Sequence, residues 1–402
     1  MITVVHDEGV TFAKGFDAGG IYCGIRKKKK DLAIIRSATP ATVAAVFTQN
    51  RTIAAPVVVS KRTFLNGKRC SAIVVNSGNA NACTGEIGME HAERMVNATA
   101  ASLGIAANEI IVASTGVIGQ YLPIEKIELG IQQLSTQLFA NGSSDAAEAI
   151  MTTDTFAKSY AVRFEIGGKE VRIGGIAKGS GMIEPNMATM LAFLTTDAQI
   201  EQELLQRAFY TAVGRSFNRI SVDGDTSTND MATILANGAS GAPAIVAGTP
   251  EYELFKTALT QVTTELAKMI ARDGEGATKL IEIEVAGAES EDEALKVARS
   301  VANSNLVKTA IHGEDPNWGR VIAAIGYSGV DIDPQFVELS LNTHPVLRRQ
   351  YQIVIDEPVV QKSLKSADVL LSIDLGRGSK TARFWTCDLT RDYISINASY
   401  RS

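Results

Sequence analysis

Residues 175–197 read Gly175-Ile-Ala-Lys-Gly-Ser-Gly-Met-Ile-Glu-Pro-Asn-Met-Ala-Thr-Met-Leu-Ala-Phe-Leu-Thr-Thr-Asp197. The first half is rich in glycine and ends in Glu184-Pro185-Asn186, a turn signal. The second half, Thr189 to Thr196, is an apolar and β-branched run that reads as a buried strand. A small residue, Ala188, and a hydroxyl residue, Thr189, meet at the junction. A Thr hydroxyl attacks poorly unless a base lies beside it. Breaking the Ala188–Thr189 peptide bond would give Thr189 a free α-amine, whose ordinary pKa of roughly 7.7–8.0 suits a general base near neutrality. One cut would then supply nucleophile and base from a single residue. Taken alone, an Ala-Thr pair at a strand start reads first as an ordinary core position.

The bulk properties narrow the classes. The 402 residues carry a formal charge of −5, with 45% hydrophobic and 21% charged residues, a soluble globular balance for two or three domains. A pI of about 5.6 lacks the basic footprint of nucleic-acid binders. Lys27-Lys28-Lys29-Lys30 is the one dense basic run and reads as a solvated loop. Cys23, Cys70, Cys83 and Cys387 form no CxxC and no zinc spacing with His6, His91, His312 or His344. Reduced thiols and a cytoplasmic location are the simplest expectation. No apolar run approaches the length of a membrane span, and no secretory leader pattern opens the chain.

In chain order, Leu32-Ala-Ile-Ile35 and Val43–Thr48 read as two short strands, and Ser71–Val75 as another, running into Asn76-Ser-Gly-Asn-Ala-Asn81. A turn is the default for that polar segment. Glu90–Leu103 has helical periodicity. Ile110–Ala113 is a strand ending at Ser114-Thr-Gly-Val-Ile-Gly119, where a turn competes with a ligand-facing backbone that only glycine permits. Helices near 124–138 and 144–151 lead to Met151-Thr-Thr-Asp-Thr155. Strands around Gly167-Gly168 form a hairpin that delivers Lys178 to the junction. Helices at 201–213 and 252–272 follow, then strands from Leu280, a helix over about 291–310, and strands at 336–341 and 369–375. Asp223, Asp225 and Asp230 lie in Asp223-Gly-Asp-Thr-Ser-Thr-Asn-Asp230, which lacks an EF-hand's glycine and glutamate positions and reads as a polar loop. Asp273-Gly-Glu-Gly-Ala-Thr-Lys279 is not a P-loop, and no G-x-G-x-x-G occurs, so nucleotide readings lose their main support.

Lys178-Gly-Ser-Gly-Met-Ile-Glu-Pro-Asn-Met-Ala-Thr-Met-Leu-Ala-Phe193 closely resembles the self-cleaving signature of the ornithine acetyltransferase (glutamate N-acetyltransferase) family of arginine biosynthesis. The segments at 76–81, 115–116, 223–230, 274–279, 312–320 and 392–402 resemble that family's other motifs. The resemblance implies a layered αββα-type sandwich related to self-processing aminopeptidases, with a smaller α+β domain. The expected division is 1–280 for the sandwich, 281–387 for the smaller domain and 388–402 for a tail returning to the site. It implies cleavage between Ala188 and Thr189, with Thr189 as nucleophile and Thr115 and Gly116 as the oxyanion hole. Thr152 (with Thr153 as the near alternative), Lys178, Thr189, Glu275, Asn397 and Ser402 would bind substrate.

The implied reaction moves an acetyl group from N-acetylornithine to glutamate, releasing ornithine, through an acetyl-threonine intermediate. It requires no metal or tightly bound cofactor. Whether acetyl-CoA also serves as donor, which separates mono- from bifunctional members, is not encoded in these motifs. The family assembles as a heterotetramer of two light and two heavy chains; neither nucleic acid nor membrane is an expected partner. The His312–Arg320 loop reads as a structural turn anchored by Trp318. Two rivals remain: an N-terminal-threonine amidase or aminopeptidase that uses water as acceptor, and a non-catalytic binding protein, for which the chain would stay uncut.

Overall fold

A computed structural model describes residues 1–67, 69–184 and 190–398. The chain divides into two compact units, Met1–Asn218 with Asp225–Ile270, and Arg219–Gly224 with Ala271–Ser402. The boundary thus falls ten residues before the 280/281 expected from sequence, and the described part of the tail groups with the second unit.

The first unit is built on a nine-stranded ladder. Its strands are β1 (Thr3–Val5), β2 (Phe16–Ile21), β3 (Leu32–Phe47), β4 (Arg69–Asn79), β5 (Ile110–Val117), β6 (Lys158–Ile166), β7 (Lys169–Lys178), β8 (Leu191–Thr196) and β9 (Met231–Ala236). They lie in the order β1-β6-β7-β8-β9-β3-β4-β5, with β2 also on β3. The two short strands expected at 32–35 and 43–48 are one strand of 16 residues. Its pairing with β4 shifts register between Arg36 and Ala41. Pro40, which has no N–H to donate, sits in that interruption, where a sheet tolerates it.

The two halves of β3 have different neighbours on one side: Leu32–Ser37 pairs with β2, and Thr42–Phe47 with β9. At this corner the ladder folds into two layers. Ala33, Ile35, Ile73, Val75, Ile111 and Ala113 from one layer share a dry core with Ile176, Leu191, Phe193, Met231 and Leu235 from the other. Burying a side chain such as Phe193 contributes about 1.5–3 kcal/mol.

Helices cover the outer faces. Alternate residues Leu32, Ile34, Val74, Ile110 and Val112 pack on α1 (Ala55–Asn66), α2 (Gly85–Leu103) and α3 (Ile124–Ser135). A short α4 (Ser143–Ala149) adds Ala146, Ala147 and Ala149 to the dry inter-layer core. On the other layer, α5 (Gln202–Arg215) pins β3 through Gln206, whose amide accepts from Ala45 N–H and donates to its carbonyl, both at 3.0 Å. The aromatic ring of Phe255 on α6 (Pro250–Arg272) meets Phe164 of β6 edge-on, with centroids 6.5 Å apart. The layered α/β sandwich expected from sequence is therefore present. β8 reads as an unbroken apolar run because it is buried on both faces, between β7 and β9.

Sequence periodicity places α2 five residues late; it begins at Gly85. The polar segments at 76–79 and 114–117 are strand, not turn. They pair with each other in parallel, and their amide side chains find partners inside the layer.

The second unit carries β10 (Leu280–Ala288), α7 (Glu291–Ala302), α8 (Asn305–His312), α9 (Trp318–Gly326), β11 (Glu338–Leu341), β12 (His344–Arg348), β13 (Gln352–Ile353), α10 (Glu357–Ser363), β14 (Asp368–Asp374), β15 (Lys380–Cys387) and α11 (Arg391–Ala398). Its sheet runs β13-β12-β11-β14-β10-β15. Ile281, Ile283 and Val285 alternate into a core shared with Val297, Val301, Val321 and Ile325 of the helices. The single helix expected over 291–310 is two, because the Ser304 hydroxyl accepts from Val307 N–H at 3.3 Å and starts a new helix. Trp318 opens α9 and packs on this core.

Candidate active site

The corner in β3 brings strand ends together that are far apart in sequence. Thr115 and Gly116 lie at the end of β5, beside Ser77 and Gly78 of β4. Both glycines adopt left-handed φ, +95° at Gly78 and +134° at Gly116. A Cβ on Gly116 would lie 2.3 Å from the Gly78 carbonyl carbon and 2.4 Å from Asn79 N. The two backbones therefore approach as only glycine allows.

Buried amides fix this pair of strand ends. Asn229 donates to the carbonyls of Ala80 at 2.5 Å and Ser114 at 2.9 Å, linking β4 and β5. The Ser114 hydroxyl donates to Asn76 Oδ1 at 2.6 Å, and Asn76 in turn donates to the Asn79 carbonyl at 2.9 Å. Thr115, one residue on, keeps partial exposure.

Lys178 closes β7, and its Nζ reaches Thr115 Oγ1 at 3.5 Å, the outer limit of a hydrogen bond. Behind it lies Asp154, whose carboxylate is fully buried. Its Oδ1 accepts from Lys158 Nζ at 2.7 Å and from Gly179 N–H at 2.7 Å. Its Oδ2 accepts from Thr152 N–H at 2.9 Å and lies 4.0 Å from Lys178 Nζ. Burial alone would push this carboxyl up. The charges of Lys178 and Lys158, with the hydrogen bonds from Lys158 and Thr152, outweigh burial and hold it well below the usual carboxylate range. Thr153, the alternative to Thr152, shares a 2.6 Å hydrogen bond with the Ser180 hydroxyl.

Asp230 stands at the head of β9, where Met231 N–H donates to the Met190 carbonyl at 3.1 Å. Its side chain is buried, and its Oδ2 has no hydrogen-bond partner among the described residues. Burial pushes this carboxyl well above its ordinary value, against the opposing Lys178 charge and bonds from Ser227 and Met190.

Within the second unit, Asn397 Nδ2 donates to Glu275 Oε2 at 2.7 Å, and Glu275 is buried. The loop bearing Glu275 is tied down by Asp388, which accepts from Thr278 N–H, Thr278 Oγ1 and Lys279 N–H at 2.6–2.8 Å. His312 Nδ1 joins the same carboxylate at 2.9 Å.

The sites expected from sequence thus fall into two groups. Thr115, Gly116, Thr152 and Lys178 converge in the first unit, and Glu275 with Asn397 in the second. Ala188, Thr189 and Ser402 lie outside the described residues. Among the described residues no cluster of His, Cys, Asp and Glu could hold a metal, and no helix is long and apolar enough to cross a membrane. Sequence reading passed over Asp154, Lys158 and Asn229. The signal available was an Asp-Lys pair four residues apart, Asp154 and Lys158, just where the hairpin begins.

Residues 17–402 match the family model described as the ArgJ family. The arginine biosynthesis bifunctional protein ArgJ of Caldanaerobacter subterraneus subsp. tengcongensis is 48% identical over 402 residues, covering 99% of this chain and 100% of that protein. Its counterpart in Bacillus subtilis is 47% identical, covering 98% and 96%. Among solved structures, the ornithine acetyltransferase of Mycobacterium tuberculosis, complexed with ornithine, is 36% identical over 47% of this chain and 100% of that one, with a TM-score of 0.44.

Proposed function

This chain belongs to the ArgJ family, and from that premise we propose that it is a self-cleaving acyltransferase moving an acetyl group from N-acetylornithine to glutamate. The observation that carries the reading is Lys178 Nζ, 3.5 Å from Thr115 Oγ1 at the strand end that leads into the Thr189 segment. A cation and a hydroxyl beside a glycine-lined backbone are the parts that stabilise a developing oxyanion.

In the proposed route Thr189 Oγ first attacks the Ala188 carbonyl, and hydrolysis of the resulting ester frees the Thr189 α-amine. The amine then takes the hydroxyl proton as Oγ attacks the acetyl carbonyl of N-acetylornithine. Thr115 and Gly116 stabilise the tetrahedral oxyanion. The C–N bond breaks, the amine returns its proton to the departing ornithine nitrogen, and an acetyl ester stays on Thr189. The glutamate amine attacks that ester, giving N-acetylglutamate and restoring the hydroxyl. Lys178 either holds a substrate carboxylate or lowers the pKa of the Thr189 amine through its charge, and Thr152, Glu275, Asn397 and Ser402 position the amino-acid portion. The route is ping-pong and calls on no metal or tightly bound cofactor; acetyl-CoA would enter only as a second acetyl donor. The light and heavy chains stay associated, as a heterotetramer of two of each, in the cytoplasm.

Denaturing electrophoresis with N-terminal sequencing tests the first step. Two bands are expected, the larger beginning at Thr189, and the Thr189→Ala variant should stay whole. Transfer of acetyl from N-acetylornithine to glutamate, measured against release of free acetate, separates this reading from an amidase. Predominant hydrolysis would overturn it.

A further inference from the structure

The loop joining β2 to β3 is folded around one side chain. Asp31 is completely buried. Its Oδ1 accepts from Cys23 N–H at 2.7 Å, and its Oδ2 accepts from the N–H groups of Gly24, Ile25 and Arg26 at 3.2, 2.7 and 2.9 Å. These donors offset the cost of burying a polar group and fix the backbone at Arg26. The Asp31 carbonyl accepts from Ser77 N–H at 2.9 Å, which seats the loop beside the strand end that carries Gly78. Lys30 Nζ pairs with Asp145 at 2.6 Å and Glu148 at 2.8 Å on α4, the helix that leads into Met151 and Thr152.

From this frame Arg26 reaches two parts of the site. Its Nη1 donates to the Met151 carbonyl at 2.8 Å and its Nη2 to the Thr152 carbonyl at 3.0 Å. Its stem lies over Gly78, where an added Cβ would come within 2.7 Å of Arg26 Cγ. Gly78 is also the residue that leaves no room for a side chain on Gly116. A planar, rigid fork therefore ties the Thr152 segment, 126 positions away in the chain, to the glycine pair that ends β4 and β5.

We propose that Arg26 is a positioning residue for the reaction: by holding the Met151 and Thr152 carbonyls while its stem rests on Gly78, it fixes the span between Thr152 and Gly116. This rests on the reading of Thr152 as a substrate contact and of Gly116 as an oxyanion donor. A substrate held by its amino-acid portion at Thr152 then presents its acetyl carbonyl to Gly116 N–H. Without the fork, two carbonyls lose their donors and the Thr152 segment is released from the glycine pair. A misplacement of about 1 Å between a binding contact and the reacting centre can cost about a hundredfold in rate.

The test is a double-mutant cycle in the full-length enzyme, with kcat and KM for N-acetylornithine and glutamate normalised to cleaved protein on gels. Arg26→Met should lower kcat/KM by about tenfold to a hundredfold, with KM raised as well as kcat lowered. A simple loss of folded enzyme would lower kcat at unchanged KM. Thr152→Val removes the hydroxyl through which Arg26 acts, so adding Arg26→Met to it should lower kcat/KM little further. Independent effects would multiply instead. Should Arg26→Met aggregate or stay uncut, Arg26→Lys replaces it in both arms, because it keeps the charge but not the fork. Unchanged kcat/KM in the Arg26 variant, unchanged KM, or the same fold-loss with and without the Thr152 hydroxyl overturns the proposal. So does loss of cleavage in both Arg26 variants, a step that needs no contact from Thr152 to substrate. Thr152→Val with wild-type kinetics removes the contact itself, and the proposal with it. Failure of the acetyl-transfer reading would instead appear in the unmodified enzyme, as absence of transfer.

Discussion

Gly116→Ala is the most exacting perturbation the structure offers. At φ +134° an L side chain is strained, at a cost of about 1–3 kcal/mol. The new methyl would meet Gly78 C at 2.3 Å and Asn79 N at 2.4 Å. Both are backbone atoms held in the β4–β5 ladder, so neither can swing aside, and overpacking of this kind adds about 1–3 kcal/mol. The total, about 2–6 kcal/mol, is a large part of an ordinary domain's stability of about 5–15 kcal/mol. The strand ends can relieve the clash only by parting, which moves the Gly116 N–H. If that N–H is an oxyanion donor, kcat should fall by about 10²–10³. Gly119→Ala is the control: it also has positive φ, +82°, but its Cβ would meet nothing within 4 Å. Urea denaturation and steady-state acetyl transfer read the two effects separately. Gly116→Ala with the midpoint and kcat of the Gly119→Ala control would refute the close-approach reasoning.

Three further outcomes are expected. Asn229→Ala strips donors from two buried carbonyls, Ala80 O and Ser114 O; it should cost about 2–4 kcal/mol by urea denaturation and lower kcat more than it raises KM. Asp230→Asn tests a raised carboxyl. The native contribution of Asp230 is full below the unfolded value of about 3.9 and is lost as pH rises towards the folded value, so the asparagine variant should gain stability relative to wild type as pH rises above about 4; thermal melts showing no pH-dependent gain would contradict this. Asn397→Asp sets a carboxylate against Glu275 in place of a donor at 2.7 Å and should raise KM for the amino-acid substrates about tenfold, with kcat changed less.

What the sequence discloses follows from which interactions are local. The β8 run is legible because burial on both faces leaves no polar alternation to confuse it. The Gly167-Gly168 hairpin is legible because both residues need left-handed φ, +56° and +73°, and glycine announces that need. The β3 corner is hidden: Pro40 looks like a strand break, and only pairing with β2, β4 and β9 makes one element of two runs. The Asn76 and Ser114 segments mimic turns because the partners of their side chains are tertiary. Glu275 and Asn397, 122 positions apart, are reached from the residues only through a family likeness, not through spacing. Asp154 and Lys158 lie four positions apart, but Lys178, which a different strand supplies, faces the same carboxylate.

The strand order has one more consequence. β8 and β9 follow the Thr189 segment in the chain, yet they are wedged between β7 and β3, which precede it. A scission at residues 188–189 would leave the later fragment dovetailed into the earlier one, with a backbone ladder on either flank. Such pieces cannot trade partners while the sheet survives. Isotope-labelled and unlabelled preparations, each cleaved separately and then mixed, should therefore never yield hybrid first units in native mass spectra.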